Sequence, residues 1–195
     1  MKEIIDNYKK YRWFKTSTKK IVIGGKSASQ NDDLLKSLKR KAQSDYTIMH
    51  TASPGSPFSV ILSDLFSTEE DIKETAIFTA CFSRLWKKQA RKAEIHIFKL
   101  SQLSKSKKLK EGTWSVKSPI KKILVPLELA LTVQEKALRA VPFSTLKNKK
   151  PLLTIIPGTI NKQQMLPKIA LELGEKFSQE EILQALPSGG VRIKR

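Results

Sequence analysis

The sequence predicts an α+β fold: a largely antiparallel sheet packed by two main helices, with a small helical C-terminal extension. Three observations predict it. Short apolar runs of period two alternate with turn residues, two longer segments carry apolar residues at helical spacing, and the charge and pattern change after residue 150. A chain of 195 residues is long enough for one good core and a small appendage.

The first strands are predicted on either side of a polar turn. The strings YRWF at 11–14 and KIVIG at 20–24 are typical of short strands joined at 16–19, and Gly24 and Gly25 end the second. Asn31 is a candidate N-cap for a helix over about residues 32–43. Residues 46–50 and 59–63 are strand-like, and a loop containing PGSP at 54–57 separates them.

The longest predicted helix covers residues 68–92. Ser67 and Glu70 have the spacing of a capping box. Apolar side chains then recur at helical spacing, namely Ile72, Ala76, Phe78, Cys81, Phe82 and Leu85. Further strands are predicted at 94–98, 113–117 and 120–125. For residues 127–141, alternating apolar side chains favour a hairpin that turns at 134–136, and a helix over 127–140 is the competing interpretation.

A boundary is predicted at the run KNKKP, residues 147–151. It divides the chain into a domain of residues 1–146 and an extension of residues 151–195. The extension is predicted to hold a strand at 152–156 and helices at about 162–173 and 179–186. Gly174 is suited to end the first helix, and Ser178 with Glu181 forms a capping box for the second.

Positive charge is concentrated in the middle of the chain. The net charge is +19, and residues 84–122 hold 13 basic and 2 acidic side chains, against 6 and 4 in residues 151–195. A concentrated basic field attracts a polyanion, for which nucleic acid is the first choice and an anionic membrane the second. A generally lysine-rich surface is the alternative. No apolar run approaches the roughly 20 residues of a membrane helix, and no secretory signal is visible, so a cytoplasmic location is expected.

Two short motifs are candidates for phosphate or catalytic sites. The string GKS at 25–27 follows a predicted strand, but a P-loop needs glycine at position 20, where lysine stands. A glycine turn between strand and helix is therefore favoured. His50 opens the loop that contains Gly55 and Ser56, where backbone amides are suited to a phosphate or ribose; the alternative is a histidine that shapes the loop. Catalytic partners, metal ligands and cofactor motifs are not recognisable, so none is expected.

The end of the predicted 68–92 helix is the main candidate for contacts with phosphates. Arg84, Lys87, Lys88 and Arg91 have the spacing of one helical face, and Trp86 beside them is a candidate for stacking on a base if exposed. The helix dipole explains one or two such cations, but not a whole cluster. Lys105, Lys107 and Lys108 then crowd the next loop with Lys110.

Several of these segments together resemble a known family. The strings YRWF at 11–14, VIGGK at 22–26 and QND at 30–32 are followed in order by His50 with PGS at 54–56, CFS at 81–83, SQLSK at 101–105 and GT at 112–113. Over about residues 8–126 the chain resembles the NFACT-R domain, the RNA-binding module of NFACT proteins of ribosome-associated quality control. The resemblance implies a stand-alone module that binds RNA near translation or RNA modification, without established catalytic residues.

The sequence thus predicts a protein that binds tRNA or ribosomal RNA through a basic surface, without a membrane and with the ribosome as a further candidate partner. The predicted contact residues are Arg12, Lys26, His50, Gly55, Ser56, Arg84, Lys87, Lys88, Arg91, Lys105, Lys107 and Lys108. Two alternatives stay open. One is an RNA-modifying enzyme, or an obligate subunit of one, with His50 in its active site. The other is an adaptor that holds a protein partner through the helices of residues 151–195.

Overall fold

Short strands and polar turns build most of the computed structural model, which describes residues 6–41, 44–63 and 67–194. The first half contains β1 (Arg12–Lys15), β2 (Ile21–Gly24), α1 (Ala28–Lys41), β3 (Thr47–Thr51), β4 (Ser59–Leu62), α2 (Glu69–Cys81), α3 (Arg84–Lys87) and β5 (Lys92–Lys99). The second half contains β6 (Leu103–Ser104), β7 (Ser115–Val116), β8 (Lys121–Pro126), β9 (Leu129–Gln134), β10 (Ala137–Val141), β11 (Leu153–Asn161), α4 (Lys162–Glu172), α5 (Gln179–Ala185) and β12 (Gly190–Lys194).

The strands form antiparallel sheets, and the predicted α+β class is confirmed. The larger sheet has six strands in the order β1-β2-β4-β3-β5-β8, and a second has four in the order β10-β9-β11-β12. A two-stranded ribbon joins β6 to β7. The hairpin predicted for 127–141 is confirmed as β9 and β10. The strand before this hairpin and the first strand of the hairpin belong to different sheets. β8 pairs with β5, whereas β9 pairs with β10 and β11.

Alternating side chains of the six-stranded sheet enter two separate cores. Trp13, Ile23 and Val60 belong to one, which also contains side chains of α1 and is drawn entirely from residues 8–114. Phe14, Val22 and Ile61 belong to the other, which contains α2 and continues through β9 into β11, α4, α5 and β12. The period of two places successive residues on opposite faces, so each strand serves both cores.

The long helix predicted for 68–92 is wrong in its extent and in its cap. Thr68 and Asp71 form the capping box in place of Ser67 and Glu70. The helix α2 ends at Cys81, because Ser83 becomes a new N-cap: its Oγ donates to the Ala80 carbonyl at 2.6 Å and accepts from the Leu85 amide at 3.1 Å. These local bonds replace continued helix, as serine side chains commonly do.

The first helix begins earlier than predicted. Its first residue is Ala28, and the Ser27 Oγ accepts from the Gln30 amide at 3.1 Å, so Ser27 takes the capping role predicted for Asn31. Asn31 lies inside α1, where its Oδ1 accepts from the Phe58 amide at 3.1 Å. The side chain therefore ties the helix to the start of β4 instead of capping it.

The C-terminal region holds the two predicted helices, α4 and α5, and the Ser178–Glu181 capping box is confirmed. The final strand β12 was not predicted, and β11 is longer than expected and lies between β9 and β12. The extension is thus a strand–helix–helix–strand unit. The division at 147–151 stays a prediction, although the sheet and one core cross it. Among the helices of the described ranges, none combines the length and the apolar content of a membrane span.

Candidate nucleic-acid interface

A cleft of about 570 Å³ opens at one end of the six-stranded sheet. Its walls are the turn between β2 and α1, the loop between β3 and β4, the start of α3, the 111–116 segment and Ser188. Seven of the twelve predicted contact residues line it, namely Arg12, Lys26, His50, Gly55, Ser56, Arg84 and Lys87. The fold therefore brings together predicted residues that lie as far as 75 positions apart in the sequence.

The cleft combines positive charge with aromatic rings. Its lining includes four lysine or arginine side chains and one carboxylate, that of Glu111. Six rings line it: those of His50, Phe82 and His96 are half-exposed, whereas those of Phe58, Phe98 and Trp114 are buried beneath them or beside them in the core. Cations neutralise phosphates, and exposed rings stack on unpaired bases, so the cations together with the three half-exposed rings suit single-stranded portions of a nucleic acid.

The predicted glycine turn between strand and helix is confirmed at residues 25–27. A Cβ on Gly25 would lie 2.2 Å from the Oδ1 of Asn31 and 2.9 Å from its backbone nitrogen, so a side chain does not fit there. The Lys26 amide donates to the Oε1 of Gln30 at 2.8 Å. This bond fixes the turn, and the exposed Lys26 side chain is left to line the cleft.

The loop after His50 is held by its own polar groups. The Thr51 amide donates to the Ser56 Oγ at 3.0 Å, and the His50 ring lies 4.5 Å from the Phe58 ring. The Nδ1 of His50 lies 2.7 Å from the Thr51 carbonyl, which only accepts, so this nitrogen carries the proton. Burial lowers the pKa of His50 and nearby His96 also lowers it, against the Thr51 carbonyl, which raises it. The imidazole is therefore neutral at neutral pH.

Gly55 contacts Arg84 directly and positions its side chain in the lining of the cleft. Its φ is +103°, and an added Cβ would lie 2.4 Å from the Cδ of Arg84. The Arg84 amide also donates to the Gly55 carbonyl at 2.8 Å. The arginine side chain therefore rests on the bare backbone of the loop, which only glycine permits at this φ.

The four cations predicted on one helical face do not share one. Only Arg84 and Lys87 belong to α3, whereas Lys88 ends it and Arg91 lies in the turn before β5. Lys88 and Arg91 are exposed but do not line the cleft. The proposal that Trp86 stacks on a base is wrong, because its side chain is fully buried and its Nε1 donates to the Gly190 carbonyl at 2.8 Å.

The lysines of the next loop also separate into two groups. The Lys105 ammonium lies 3.0 Å from the Asp32 carboxylate and donates to the carbonyls of Lys110 and Thr113 at 2.7 and 2.9 Å. Burial would raise the pKa of Asp32, but hydrogen bonds from Lys105, Trp114 and the Gly112 backbone lower it overall. Lys105 thus braces the loop that carries Trp114, while Lys107 and Lys108 are exposed and outside the cleft.

Several residues of the cleft were missed by the sequence analysis. His96 and Phe98 alternate along β5, and His96 is the cross-strand neighbour of His50. Their period of two, opposite the predicted His50 strand, was the available signal. Glu111 and Trp114 lie in a segment without a clear apolar pattern, and Ser188 is far away in the sequence. No periodic pattern therefore linked these three residues to the cleft.

Comparisons with known proteins show the family and the fold. Residues 10–118, more than half of the chain, match the family model described as the NFACT protein RNA binding domain. No curated protein sequence matches. The fold is similar to the solved C-terminal part of a fibronectin/fibrinogen-binding protein from Streptococcus suis, with a TM-score of 0.53 and 21% identity. That match covers 65% of this chain and 46% of the other, so this chain spans less than half the length of that structure.

The family match begins just before β1 and ends just after β7, so it includes every wall of the cleft except Ser188. The residues that the sequence analysis used to identify the resemblance lie in the same range. RNA binding is the property that the family model describes. This chain belongs to the family of NFACT protein RNA-binding domains.

Proposed function

We propose that this chain binds tRNA or ribosomal RNA through the cleft, in a step close to translation or ribosome-associated quality control. The observation that carries the proposal is the convergence of Arg12, Lys26, Arg84 and Lys87 on a cleft that half-exposed aromatic rings also line. The first two come from β1 and the β2–α1 turn, and the others from α3. Such a site is assembled by the fold, because no short segment of the sequence contains it.

The two kinds of side chain suggest two kinds of contact. The cations would neutralise backbone phosphates and supply most of the affinity, which makes binding dependent on salt. The half-exposed rings, among them those of His50 and His96, would contact bases that are not stacked in a helix. Both tRNA and ribosomal RNA present unpaired bases next to folded helices, whereas a simple duplex does not.

Matched charge reversals test the cleft. One variant carries Arg84→Glu and Lys87→Glu in the cleft, and its control carries Lys107→Glu and Lys108→Glu in the exposed loop. Both change the net charge equally. We expect the cleft variant to weaken tRNA binding by about 100-fold and to flatten the salt dependence by about 0.7–0.9 for each lost phosphate contact. The loop variant should lose less than about tenfold.

Binding titrations at several salt concentrations give both quantities. Equal losses in the two variants would show that diffuse charge drives binding and would remove the cleft from the proposal. A circular dichroism melt of each variant confirms that the fold is retained, which is expected because all four side chains are exposed.

The class of RNA is tested separately. Crosslinking in cells, followed by sequencing of the attached RNA, should enrich tRNA or ribosomal RNA with the unaltered chain, and the enrichment should fall in the cleft variant. Enrichment of messenger RNA alone would overturn the proposed RNA class and leave RNA binding itself in place.

A further inference from the structure

A second, smaller pocket lies where the family-matched region meets the C-terminal helices. Its volume is about 330 Å³, and it lies between β1, β10 and the end of α5. Five cations line it, namely Lys9, Arg12, Lys26, Arg139 and Lys162, and no carboxylate is among its lining residues. We call it the cationic pocket. Arg12 and Lys26 also line the cleft, so the two spaces meet at these side chains.

Most of these cations lack a counter-ion. Lys9 lies 3.3 Å from the Glu135 carboxylate. Lys162 donates to the neutral Leu183 carbonyl at 2.7 Å. For Arg12, Lys26, Arg139 and Lys162, none of the described ranges supplies a carboxylate within 4.0 Å, as the ion pairs of the structure show.

The two arginines are held in place by aromatic rings. The Arg12 guanidinium lies 4.8 Å from the centre of the Phe82 ring, and that of Arg139 lies 4.3 Å from the centre of the Trp13 ring. These contacts stabilise a cation but satisfy none of its N–H groups. The Nε of Arg139 is buried and has no hydrogen-bond partner in the part of the chain that the structure describes.

The cations also destabilise one another. Partial burial lowers the pKa of Lys26, and the charges of Arg12 and Arg139 lower it further. Burial likewise lowers the pKa of Lys162, followed by the charge of Arg12. Converging charges without a partner are costly in a folded protein, and a buried donor left unsatisfied adds to the cost. An anion with several acceptor oxygens removes both costs at once.

We propose that the cationic pocket binds a phosphoryl group through Arg139, Arg12 and Lys26. Guanidinium groups match phosphate oxygens in paired hydrogen bonds, and a lysine adds a point charge. The source of the phosphate rests on the proposed function: an RNA strand in the cleft would reach the pocket at the shared Arg12 and Lys26. A small phosphorylated molecule presents the same chemistry.

Inorganic phosphate tests the pocket without RNA. The chain is titrated with phosphate at constant ionic strength while the Nε–H signal of Arg139 and the indole signal of Trp13 are followed by NMR. We expect saturable shifts in the unaltered chain. Arg139→Gln and Lys26→Gln should each weaken phosphate binding by about tenfold, the effect of one lost charge-assisted contact. The control Lys107→Gln should bind phosphate unchanged.

The variants also guard against a loss of fold. Arg139→Lys keeps the charge, and Lys26 is exposed, so Lys26→Gln remains informative if Arg139→Gln does not fold. Shifts that potassium chloride reproduces at the same ionic strength would overturn the proposal. So would equal phosphate affinity in the unaltered chain and in Lys26→Gln.

If inorganic phosphate binds to the pocket, two RNA strands of the same sequence, one with and one without a 5′-phosphate, identify the source of the phosphoryl group. If Arg139→Gln weakens only the phosphorylated strand, the pocket takes a strand end. If it weakens both strands equally, the pocket takes an internal phosphate. If it weakens neither, the ligand is a small phosphorylated molecule. Absence of RNA binding by the unaltered chain would defeat the proposed function while the phosphate titration still decides the pocket.

Discussion

The cleft and the cationic pocket share Arg12 and Lys26 but surround them differently. The cleft places its cations beside six rings and one carboxylate, and all but one of its lining residues come from the first 116 positions. The pocket has rings too, but Tyr11 and Phe78 are buried and the arginines cover Trp13 and Phe82, and no carboxylate is among its lining residues. Arg139, Lys162 and three residues of α5 come from beyond the family match. The cleft, with half-exposed rings beside its cations, suits bases together with phosphates, whereas the pocket offers mainly cations and suits a phosphate.

This comparison shows that a high local density of lysine in the sequence does not predict which cations lack a counter-ion in the fold. Lys105 belongs to the densest basic run, yet Asp32 and two carbonyls use its ammonium. Arg139 stands in a weakly charged stretch, yet its Nε has no partner among the described residues. Unpaired charge depends on which elements the fold brings together, and that depends on long-range packing.

The largest effect is expected from cutting the chain at the predicted boundary. Proteolysis should nick the exposed residues 147–150. A fragment of residues 1–146 keeps the core shared by α1 and the six-stranded sheet but loses nine buried apolar side chains of the other, among them Ile155, Ile169, Ile182 and Val191. Burial of these four alone is worth on the order of 6 kcal/mol, so the fragment should be at best marginally stable.

Denaturant unfolding of the fragment measures this loss, and phosphate titration measures the pocket. We expect phosphate binding to weaken, because Lys162 and the α5 side of the pocket are removed while Arg12, Lys26 and Arg139 stay, and most of the cleft also stays. A fragment without native secondary structure would abolish the proposed division of the chain. A fragment as stable as the whole would show that the shared core contributes little.

Gly55→Ala should weaken RNA binding through the cleft without affecting phosphate binding in the cationic pocket. The φ of +103° is strained for alanine, and the new Cβ would displace Arg84. We expect a loss of about 1–3 kcal/mol in the free energy of unfolding and about tenfold weaker RNA binding. Phosphate affinity of the cationic pocket should not change. A variant that binds RNA normally would show that the position of Arg84 is unimportant.

His50→Ala should have a smaller effect on RNA binding. The imidazole is neutral at neutral pH, so it contributes a ring contact rather than a charge. We expect RNA affinity to fall by less than tenfold, or about 1.4 kcal/mol. The folded-state pKa of His50 is below its usual value, so the difference in affinity between the unaltered chain and His50→Ala should stay constant from pH 8 to 6.5. Turnover of RNA that depends on His50 would instead favour the enzyme interpretation.

The smallest effect is expected at Glu135, which ties the β9–β10 turn to the first sheet. Its carboxylate contacts Lys15, Tyr8 and Lys9. Hydrogen bonds from Lys15 and Tyr8 lower the pKa of Glu135 to about 2. Because the folded-state pKa is lowered, the stabilisation is complete above the usual pKa of 4.5 and is lost as the pH falls toward 2.

Glu135→Gln should therefore lower the free energy of unfolding at pH 7 by less than about 1 kcal/mol, since the group is partly exposed. Between pH 5 and 2 the variant should lose less stability than the unaltered chain. Urea unfolding at both ends of this range measures the difference. The release of Lys9 should also strengthen phosphate binding slightly, and RNA binding through the cleft should not respond. A parallel pH dependence in the two proteins would contradict the contact.

Local patterns predicted much of the fold and part of the cleft. The alternation of apolar and polar residues predicted β1 to β5 and the β9–β10 hairpin, and the Ser178–Glu181 capping box predicted the start of α5. Each of these features depends on neighbouring residues only. One local cost was not predicted: Lys19, in the turn before β2, has a φ of +68°. That lysine accepts a conformation that glycine adopts at lower cost.

The features of the fold and of the site that were not predicted depend on contacts between distant segments. The end of α2 is fixed by Ser83 and by the bond from Arg84 to Gly55, and neither is visible in a periodic pattern. The strand β12 exists because β11 pairs with it. The cationic pocket needs Arg139 and Lys162 beside Arg12, more than 120 residues earlier in the sequence.

The bond from the Trp86 Nε1 to the Gly190 carbonyl has a consequence for the order of synthesis. Trp86 anchors α3, and with it the Arg84 and Lys87 side chains, but its partner is made 104 residues later. A nascent chain emerging from the ribosome can therefore form the six-stranded sheet and begin to fold before this anchor is available. This last anchor of the cleft wall forms only after β12 has been translated, whereas the bond from the Arg84 amide to the Gly55 carbonyl can form earlier. An incomplete chain would thus hold its RNA less firmly than a finished one.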